Sequence, residues 1–332
     1  MNVFVHSAAS LTSVQDMGRN GFRQSGVPIG GALDPHALRV ANALVGNDDR
    51  SAGLEATLGK LQLRFEDERI VAWCGGAFSV RIGGENLPPG HAGCVAKDEE
   101  LIMTAPNAGA RAWLAISGGI DVPPVLGSRS TDLRGTFGGH EGRSLRNGDS
   151  LPLFKERRFS NRRGKGADLE IAVPWVSEWS APTPWSSTAR DDRFLRIVRG
   201  AHWDRFAPDA QTSLLTAPFT VMPDSDRMGA RLEGPALERN NAGDLLSEAV
   251  APGTLQVPPD GKPILLLGDC QTIGGYPKIA HVITVDMPLA AQLFPGDAVR
   301  FQEVSLAEAQ ALLRERGEDF SRFRIGLGLH QS

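Results

Sequence analysis

Residues 264–283 read ILLLGDCQTIGGYPKIAHVI, two apolar runs on either side of a compact polar turn. The runs, taken as Pro263–Leu267 and His281–Val285, are short and rich in Leu, Ile and Val, the composition of buried strands. The turn holds Asp269, Cys270, Gln271, Thr272, Gly274, Gly275 and Tyr276, the chain's only tyrosine. Paired glycines allow positive φ and let another group come close to the backbone. A connection that only reverses the chain needs little more than Asn-Gly or Gly-Asp. The stretch is therefore either a glycine-rich β connection with incidental side chains or a site displayed on a rigid mount.

Strand signals recur outward from it. Leu61–Phe65 alternates apolar and polar residues with period two, and Ile70–Trp73, Phe78–Ile82, Leu101–Thr104 and Arg111–Ile116 follow at short spacing. Phe194–Val198, Phe219–Met222 and Ala298–Val304 continue the pattern in the second half. With 38 glycines and 22 prolines, many short strands between turns predict a mainly β fold of barrels or sandwiches. Two helices interrupt it. Asp34 caps the first, with Pro35 where a missing N–H costs nothing, an apolar stripe of Ala37, Leu38, Ala41, Leu44 and Val45, and Gly46 at its end. The second opens on the capping pair Ser305 and Glu308 and is expected to end near Gly317 as a peripheral cover.

A length of 332 residues suits two domains. The strand pattern lapses between about 155 and 192, where a basic run (Lys155 to Lys165) leads into a segment rich in Trp, Ser and Pro. The division predicted is 1–155, a linker at 156–192, and 193–332, with the tryptophans packing on a domain surface. A faint repeat supports two similar β domains: Gly148-Asp149 and Gly296-Asp297 each lead into a closing strand.

The formal charge of −4 argues against a broad nucleic-acid surface. Cys74, Cys94 and Cys270 are too few and scattered for a disulfide framework, and their odd number suits a reducing compartment. The first residues lack a signal-peptide pattern, and no apolar run spans a membrane, so a cytoplasmic location is expected. No G-x-x-x-x-G-K-[ST], G-x-G-x-x-G, G-x-S-x-G or H-E-x-x-H occurs, and the seven histidines are dispersed, so no metal site is expected. What remains are polar clusters beside glycines. Asp16 and Arg19 form one, Arg129 and Asp132 with their neighbouring hydroxyls a second, and Asp226 and Arg227 a third. Each reads as a loop ion pair or turn, or as a guanidinium offered to a carboxylate or phosphate. Cys270 reads as a small buried group, since no histidine is near it in sequence.

Taken together, TSVQDMGRNGFRQSGVPIGGALD, NALVGN, ISGGIDVPPVLGSRSTD, GGHEGRSLRNGD, SDRMGARLEGP, LQVPPDGKPILLLGDCQTIGGYPKIAHVI and LFPGDAVRF resemble the biotin-dependent carboxyltransferase family, also called allophanate hydrolase subunit 2 or urea amidolyase-related. The resemblance runs from about residue 10 to 310. It implies two cyclophilin-like β-barrel domains. Free-standing members of this family are similar to the C component of an ATP-dependent 5-oxoprolinase, which opens 5-oxo-L-proline to L-glutamate together with the A and B components of the same enzyme. The resemblance leaves two alternatives: carboxyl transfer from biotin, as in urea carboxylase, and a non-catalytic antagonist of a kinase inhibitor. Under the first reading Asp269, Gln271 and Arg129 act in catalysis, with Asp269 and Gln271 orienting the amide. Arg19, Asp132, Arg227, Thr272, Gly274, Gly275 and Tyr276 bind substrate, and ATP is shared with a partner protein of the complex. This chain has Cys270 and Ile273 where the family more often shows Arg and Thr.

Overall fold

The computed structural model describes residues 1–105, 108–155, 175–187, 194–240, 243 and 245–331. The chain divides into two compact units, and both are discontinuous. The first comprises Met1–Gly18, Asp34–Ala189 and Glu318–Ser332; the second comprises Arg19–Leu33 and Arg190–Gly317. Most of the expected linker, including the basic run from residue 156 onward, lies outside the described residues.

The first unit contains β1 (Asn2–Ala8), β2 (Leu11–Gln15), α1 (Pro35–Leu44), β3 (Gly53–Thr57), β4 (Leu61–Phe65), β5 (Arg69–Gly75) and β6 (Ser79–Ile82). It continues with β7 (Glu85–Asn86), β8 (His91–Val95), β9 (Glu100–Thr104), β10 (Arg111–Ile116), β11 (Ser150–Pro152), β12 (Trp175–Ser180) and α2 (Thr183–Ser186). The strands form two six-stranded sheets, in the orders β11-β1-β4-β9-β6-β7 and β12-β8-β5-β10-β3-β2. Both sheets bury one face in a shared core that includes Val3, Leu54, Leu63, Trp73, Ile82 and Leu114. The period-two signal of β4 is literal: Leu61, Leu63 and Phe65 are buried, while Gln62 and Arg64 are half-buried. Before α1, the Asp34 carboxylate accepts from the Ala37 N–H at 2.9 Å, and Gly46 takes the left-handed conformation after it.

The second unit contains β13 (Phe194–Arg199), α3 (Pro208–Thr216), β14 (Phe219–Val221), β15 (Gly229–Glu233), β16 (Glu248–Ala249) and β17 (Thr254–Gln256). Then come β18 (Ile264–Leu266), β19 (Ile273–Gly274), β20 (Lys278–Val282), α4 (Met287–Ala290) and β21 (Ala298–Glu303). Seven of these strands close a barrel in the order β13-β20-β17-β18-β15-β14-β21, with β13 and β21 pairing in parallel. β16 and β19 make a separate two-stranded ribbon. The mainly β class holds. One strand is displaced from its expected place: β20 starts at Lys278, paired with Gln256, and ends at Val282 rather than Val285, because Thr284–Asp286 turns away as a 3-10 helix. Asp286 fixes that turn by accepting from Arg196 through its backbone N at 2.8 Å and through both Nε and Nη2.

The last helix, α5 (Leu306–Gln331), begins as expected, with Ser305 Oγ accepting from the Glu308 N–H at 3.1 Å. It does not stop at Gly317. A mid-helix glycine costs about 1 kcal/mol relative to alanine, whereas burying one large apolar side chain returns about 1.5–3 kcal/mol. Phe320, Phe323 and Leu327, spaced for one helix face, are all buried in the first unit. Phe320 meets His36 edge-on and Phe323 stacks on Trp179, with Trp185 against both phenylalanines. That is where Trp179 and Trp185 pack.

The faint repeat extends to hydrogen bonds. Gly148 N–H donates to Val5 O and Gly296 N–H to Val221 O, at 2.7 and 2.8 Å. Val5 and Val221 return the bond to Asp149 O and Asp297 O, both at 2.9 Å. Each aspartate also accepts from the backbone N–H three residues earlier, Arg146 or Phe294, at 2.7 Å. Asp149 grips an arginine as well: Arg143 donates from Nη1 and Nη2 at 2.7 and 2.9 Å. That pairing holds the Asp149 carboxyl down at about 2, against an ordinary 3.8. Because the folded value lies below the unfolded one, the stabilisation is complete above about pH 4 and fades as pH falls toward the folded pKa. Asp149→Asn should cost about 1.5–3 kcal/mol, the worth of a hydrogen bond to a charged group. In urea unfolding the gap between wild type and Asp149→Asn should be flat above pH 4 and shrink below it.

Candidate functional site

In the second unit, β15 and β18 pair with Gly229 opposite Leu266. The loops at their ends, 224–228 and 267–272, are therefore neighbours. Arg227 and Asp269 use that proximity: Nε donates to Oδ2 at 2.8 Å and Nη2 to Oδ1 at 3.1 Å, a bidentate fork. Nη2 also donates to Gly31 O at 2.7 Å, which ties segment 19–33 to the same pair. The Asp269 N–H returns to Arg227 O at 3.1 Å. Gly30 sits beside them with φ 61; a Cβ there would lie 3.3 Å from Arg19 Nη1 and 3.6 Å from Asp269 Oδ1. Arg19, Arg227 and Asp269 are thus brought together, as a buried cluster with side chains at most a tenth exposed.

The rest of the loop is spent largely on its own shape. Gln271 Nε2 donates to Gln256 Oε1 and Gln256 Nε2 to Tyr276 O, both at 3.3 Å. A Cβ on Gly274 would lie 2.7 Å from Gln256 Nε2, so the glycine is needed for that close approach. Gly275 adjoins Leu245 O and Ser247 Oγ. Tyr276 is exposed, and Thr272 is buried with its carbonyl accepting from Val250 N–H at 3.1 Å. Cys270 is packed with Val250 and Leu266, and burial pushes its thiol up to about 11, so it stays protonated and inert at neutral pH.

Arg129 and Asp132 belong to the first unit. There Asp16 organises the loop: Oδ1 accepts from Ser128 Oγ and Ser130 Oγ, and Oδ2 from the Arg129 N–H, each at 2.6 Å. The Arg129 guanidinium lies over the Phe154 ring at 5.0 Å. Asp132 is buried and caps its own turn, accepting from the Gly135 N–H at 2.7 Å. In the second unit, the neighbours Asp226 and Arg227 turn different ways. Arg227 goes to Asp269, while Asp226 Oδ1 accepts from Met228 and Gly229 N–H groups at 2.7 and 3.2 Å.

A cavity of about 530 Å³ opens beside the 269–276 loop within the second unit. Arg23, Thr254, Thr272, Lys278 and His281 supply its polar wall, and Val250 and Ile273 part of its apolar wall. Arg23 Nη2 donates to Val250 O. Lys278 Nζ donates to Glu248 Oε2 at 2.6 Å and to Ala249 O at 3.3 Å. That ammonium holds the Glu248 carboxyl below its usual range. His281 Nδ1 lies 3.2 Å from Thr254 Oγ1, and burial first, then Lys278, lowers the imidazole's pKa. Behind the strand, the Lys278 N–H donates to His202 Nδ1 at 3.0 Å. Of the residues singled out in the sequence, Thr272 lines this cavity. Arg23, Thr254, Lys278 and His281 were passed over, although a lysine and a histidine in the otherwise apolar run Lys-Ile-Ala-His are a visible signal. Among the described residues no group of three or more His, Cys, Asp or Glu could hold a metal ion.

A family model described as carboxyltransferase domain, subdomain A and B, matches residues 25–303. The C component of the Escherichia coli 5-oxoprolinase is 40% identical over 91% of this chain and 91% of its own length. Its Haemophilus influenzae counterpart is 34% identical over 92% of each. The crystal structure of the K. lactis urea amidolyase superposes with a TM-score of 0.86 at 28% identity, covering 97% of this chain but 20% of that one. The Kluyveromyces lactis urea carboxylase also superposes at 0.86, covering 29% of its length.

Removing one partner of a buried ion pair leaves an uncompensated charge and costs about 3–5 kcal/mol. Asp269→Leu or Arg227→Met alone should lower stability by that order in denaturant unfolding. The double variant Arg227→Met/Asp269→Leu should recover most of the loss. Additive losses would show the two side chains to be energetically independent.

Proposed function

This chain belongs to the carboxyltransferase-domain family, and from that premise we propose that it is one component of an ATP-dependent 5-oxoprolinase, opening 5-oxo-L-proline to L-glutamate with homologues of the A and B components. The observation that carries the reading is the end-to-end match. The E. coli C component is covered over 91% of its length at 40% identity, whereas the Lachancea kluyveri urea amidolyase is matched over 17% of its own.

The chemistry sets what the complex must do. A five-membered lactam is unstrained at its amide, so its hydrolysis needs coupling to ATP. Moving the γ-phosphoryl group onto the lactam oxygen releases ADP and makes the carbon electrophilic. One water adds to that carbon and the C–N bond breaks, the bonding pair and the water's protons going to the new amine, which leaves an acyl phosphate; a second water then hydrolyses the acyl phosphate to the carboxylate and inorganic phosphate. This chain contributes the substrate's pocket in this reading. Arg23 and Lys278 are cations of the kind that hold a carboxylate or phosphate, so the cavity's donors suit an anionic group. ATP is assigned to a surface shared with the partner proteins, and the complex to the cytoplasm. Among the described residues no helix is long and apolar enough to cross a membrane. Asp269, Arg227, Arg19 and Gln271 serve as the frame of that pocket, while Arg129 and Asp132 shape a loop of the first unit.

A second reading, carboxyl transfer from biotin, draws on the superposition with the urea carboxylase. Reconstitution separates the two. The chain combined with its A and B partners should release glutamate and ADP in equal amounts from 5-oxo-L-proline and ATP, and the isolated chain should release neither. A complex that yields no glutamate but passes carboxyl groups from biotin to an amide acceptor would overturn the first reading in favour of the second.

A further inference from the structure

We propose that the cavity lined by Arg23, Thr254, Lys278 and His281 binds a small cyclic amide that carries a carboxylate, the carboxylate meeting Arg23 and Lys278 and the amide N–H meeting Nε2 of His281. The substrate class rests on the 5-oxoprolinase reading; the assignment of groups rests on the geometry. A volume of about 530 Å³ is ample for a compact ring and falls within the range of small-molecule sites.

The charge balance selects a monoanion. Arg23 and Lys278 bring two positive charges to the wall, and Glu248, bonded to Lys278 Nζ at 2.6 Å, offsets one. One positive charge is left for a ligand. The Arg23 fork uses Nη2 on the Val250 carbonyl, and the Lys278 ammonium uses two of its three protons on Glu248 and Ala249. Donors therefore remain on both.

His281 supplies the complementary acceptor. Thr254 Oγ1 already takes the Ala251 N–H at 3.4 Å and lies 3.2 Å from Nδ1. An Nδ1 proton donated to Thr254 leaves Nε2 with a lone pair that can accept from an N–H donor. Burial and the neighbouring Lys278 keep the ring neutral near pH 7, which preserves that lone pair. Val250, Ile273 and Ala201 give the ring's methylenes an apolar wall. A carboxylate without an amide N–H leaves His281 unmatched, and a lactam without a carboxylate leaves the cations unmatched. Each loss of a buried polar match is worth about tenfold in affinity.

Calorimetry on the full chain, with 5-oxo-L-proline and 2-pyrrolidinone as probes, tests the assignment. Wild type should bind 5-oxo-L-proline at least about tenfold more tightly than 2-pyrrolidinone. Lys278→Met and Arg23→Met should erase that preference, and His281→Phe should weaken both probes. On the unaltered chain, the His281 ring resonance should shift on adding 5-oxo-L-proline, a readout that no folding defect can mimic. No binding by wild type, unchanged affinity in all three variants, or an unmoved His281 resonance overturns the assignment. The reconstituted complex keeps the two readings apart. If it turns over 5-oxo-L-proline with unchanged KM in the variants, this site is wrong and the activity stands. If it makes no glutamate while the chain shows the binding pattern above, the site stands and the activity is wrong.

Discussion

The buried fork between Arg227 and Asp269 is the constraint on which the second unit's site depends. Taking a guanidinium and a carboxylate out of water is costly, and the geometry offsets it only because the fork is bidentate and Arg227 also reaches a carbonyl. That carbonyl belongs to Gly31, so the same guanidinium anchors segment 19–33 to the barrel. Segment 19–33 brings Arg23 to the cavity wall, and the loop that starts at Asp269 brings Thr272. One ion pair therefore sets the position of two walls that are far apart in sequence. The glycine at 30 belongs to the same device, since its φ of 61 favours glycine and a Cβ there would crowd the Arg19 guanidinium at 3.3 Å.

The other walls are held by strand pairing. β17 and β20 pair with Thr254 opposite His281, which is why the hydroxyl reaches the imidazole. β16 and β19 pair with Glu248 opposite Gly274, which carries a carboxylate over to Lys278 and takes the 269–276 loop along. The glutamate does more than neutralise. It fixes the ammonium at one end of the cavity, and the ammonium in turn disfavours a proton on His281. A cation fixed by an anion, and an imidazole kept neutral by burial and by that cation, give a wall with a charged end and an uncharged acceptor. Such a wall can tell the two ends of an asymmetric ligand apart.

Much of this architecture was legible in the residues. β4 and β10 begin and end where their patterns do: β4 alternates buried and half-buried residues, and β10 is an apolar-rich strand buried at every position. The α1 cap was legible because capping is local chemistry. The length of α5 was not: Gly317 reads as a stop, and the aromatic partners of Phe320 and Phe323 come from about 140 residues or more away. The site was legible in part for the same reason. Reading along the chain groups residues that are neighbours in sequence, so Asp16 was set beside Arg19 and Asp226 beside Arg227. In the fold Asp16 is engaged by Ser128 and Ser130, and Arg227 by Asp269. His281 was read as the start of a strand and Lys278 was not singled out, since nothing local shows that Glu248, Thr254 and Arg23 converge on them.

The repeated Gly-Asp turn shows how a shared scaffold and a specific site are divided between residues. The bonds of Gly148-Asp149 to Val5 and those of Gly296-Asp297 to Val221 correspond atom for atom. They lock a closing strand, β11 or β21, against its partner, and that is a folding task common to both units. The groups around the cavity in the second unit lie elsewhere, on segment 19–33 and on β17, β19 and β20. Those positions take no part in the repeated turn, so a lysine, a histidine and an arginine can stand there without disturbing its bonds. The buried ion pair is a structural requirement of that placement, because it ties segment 19–33 to the loop that starts at Asp269.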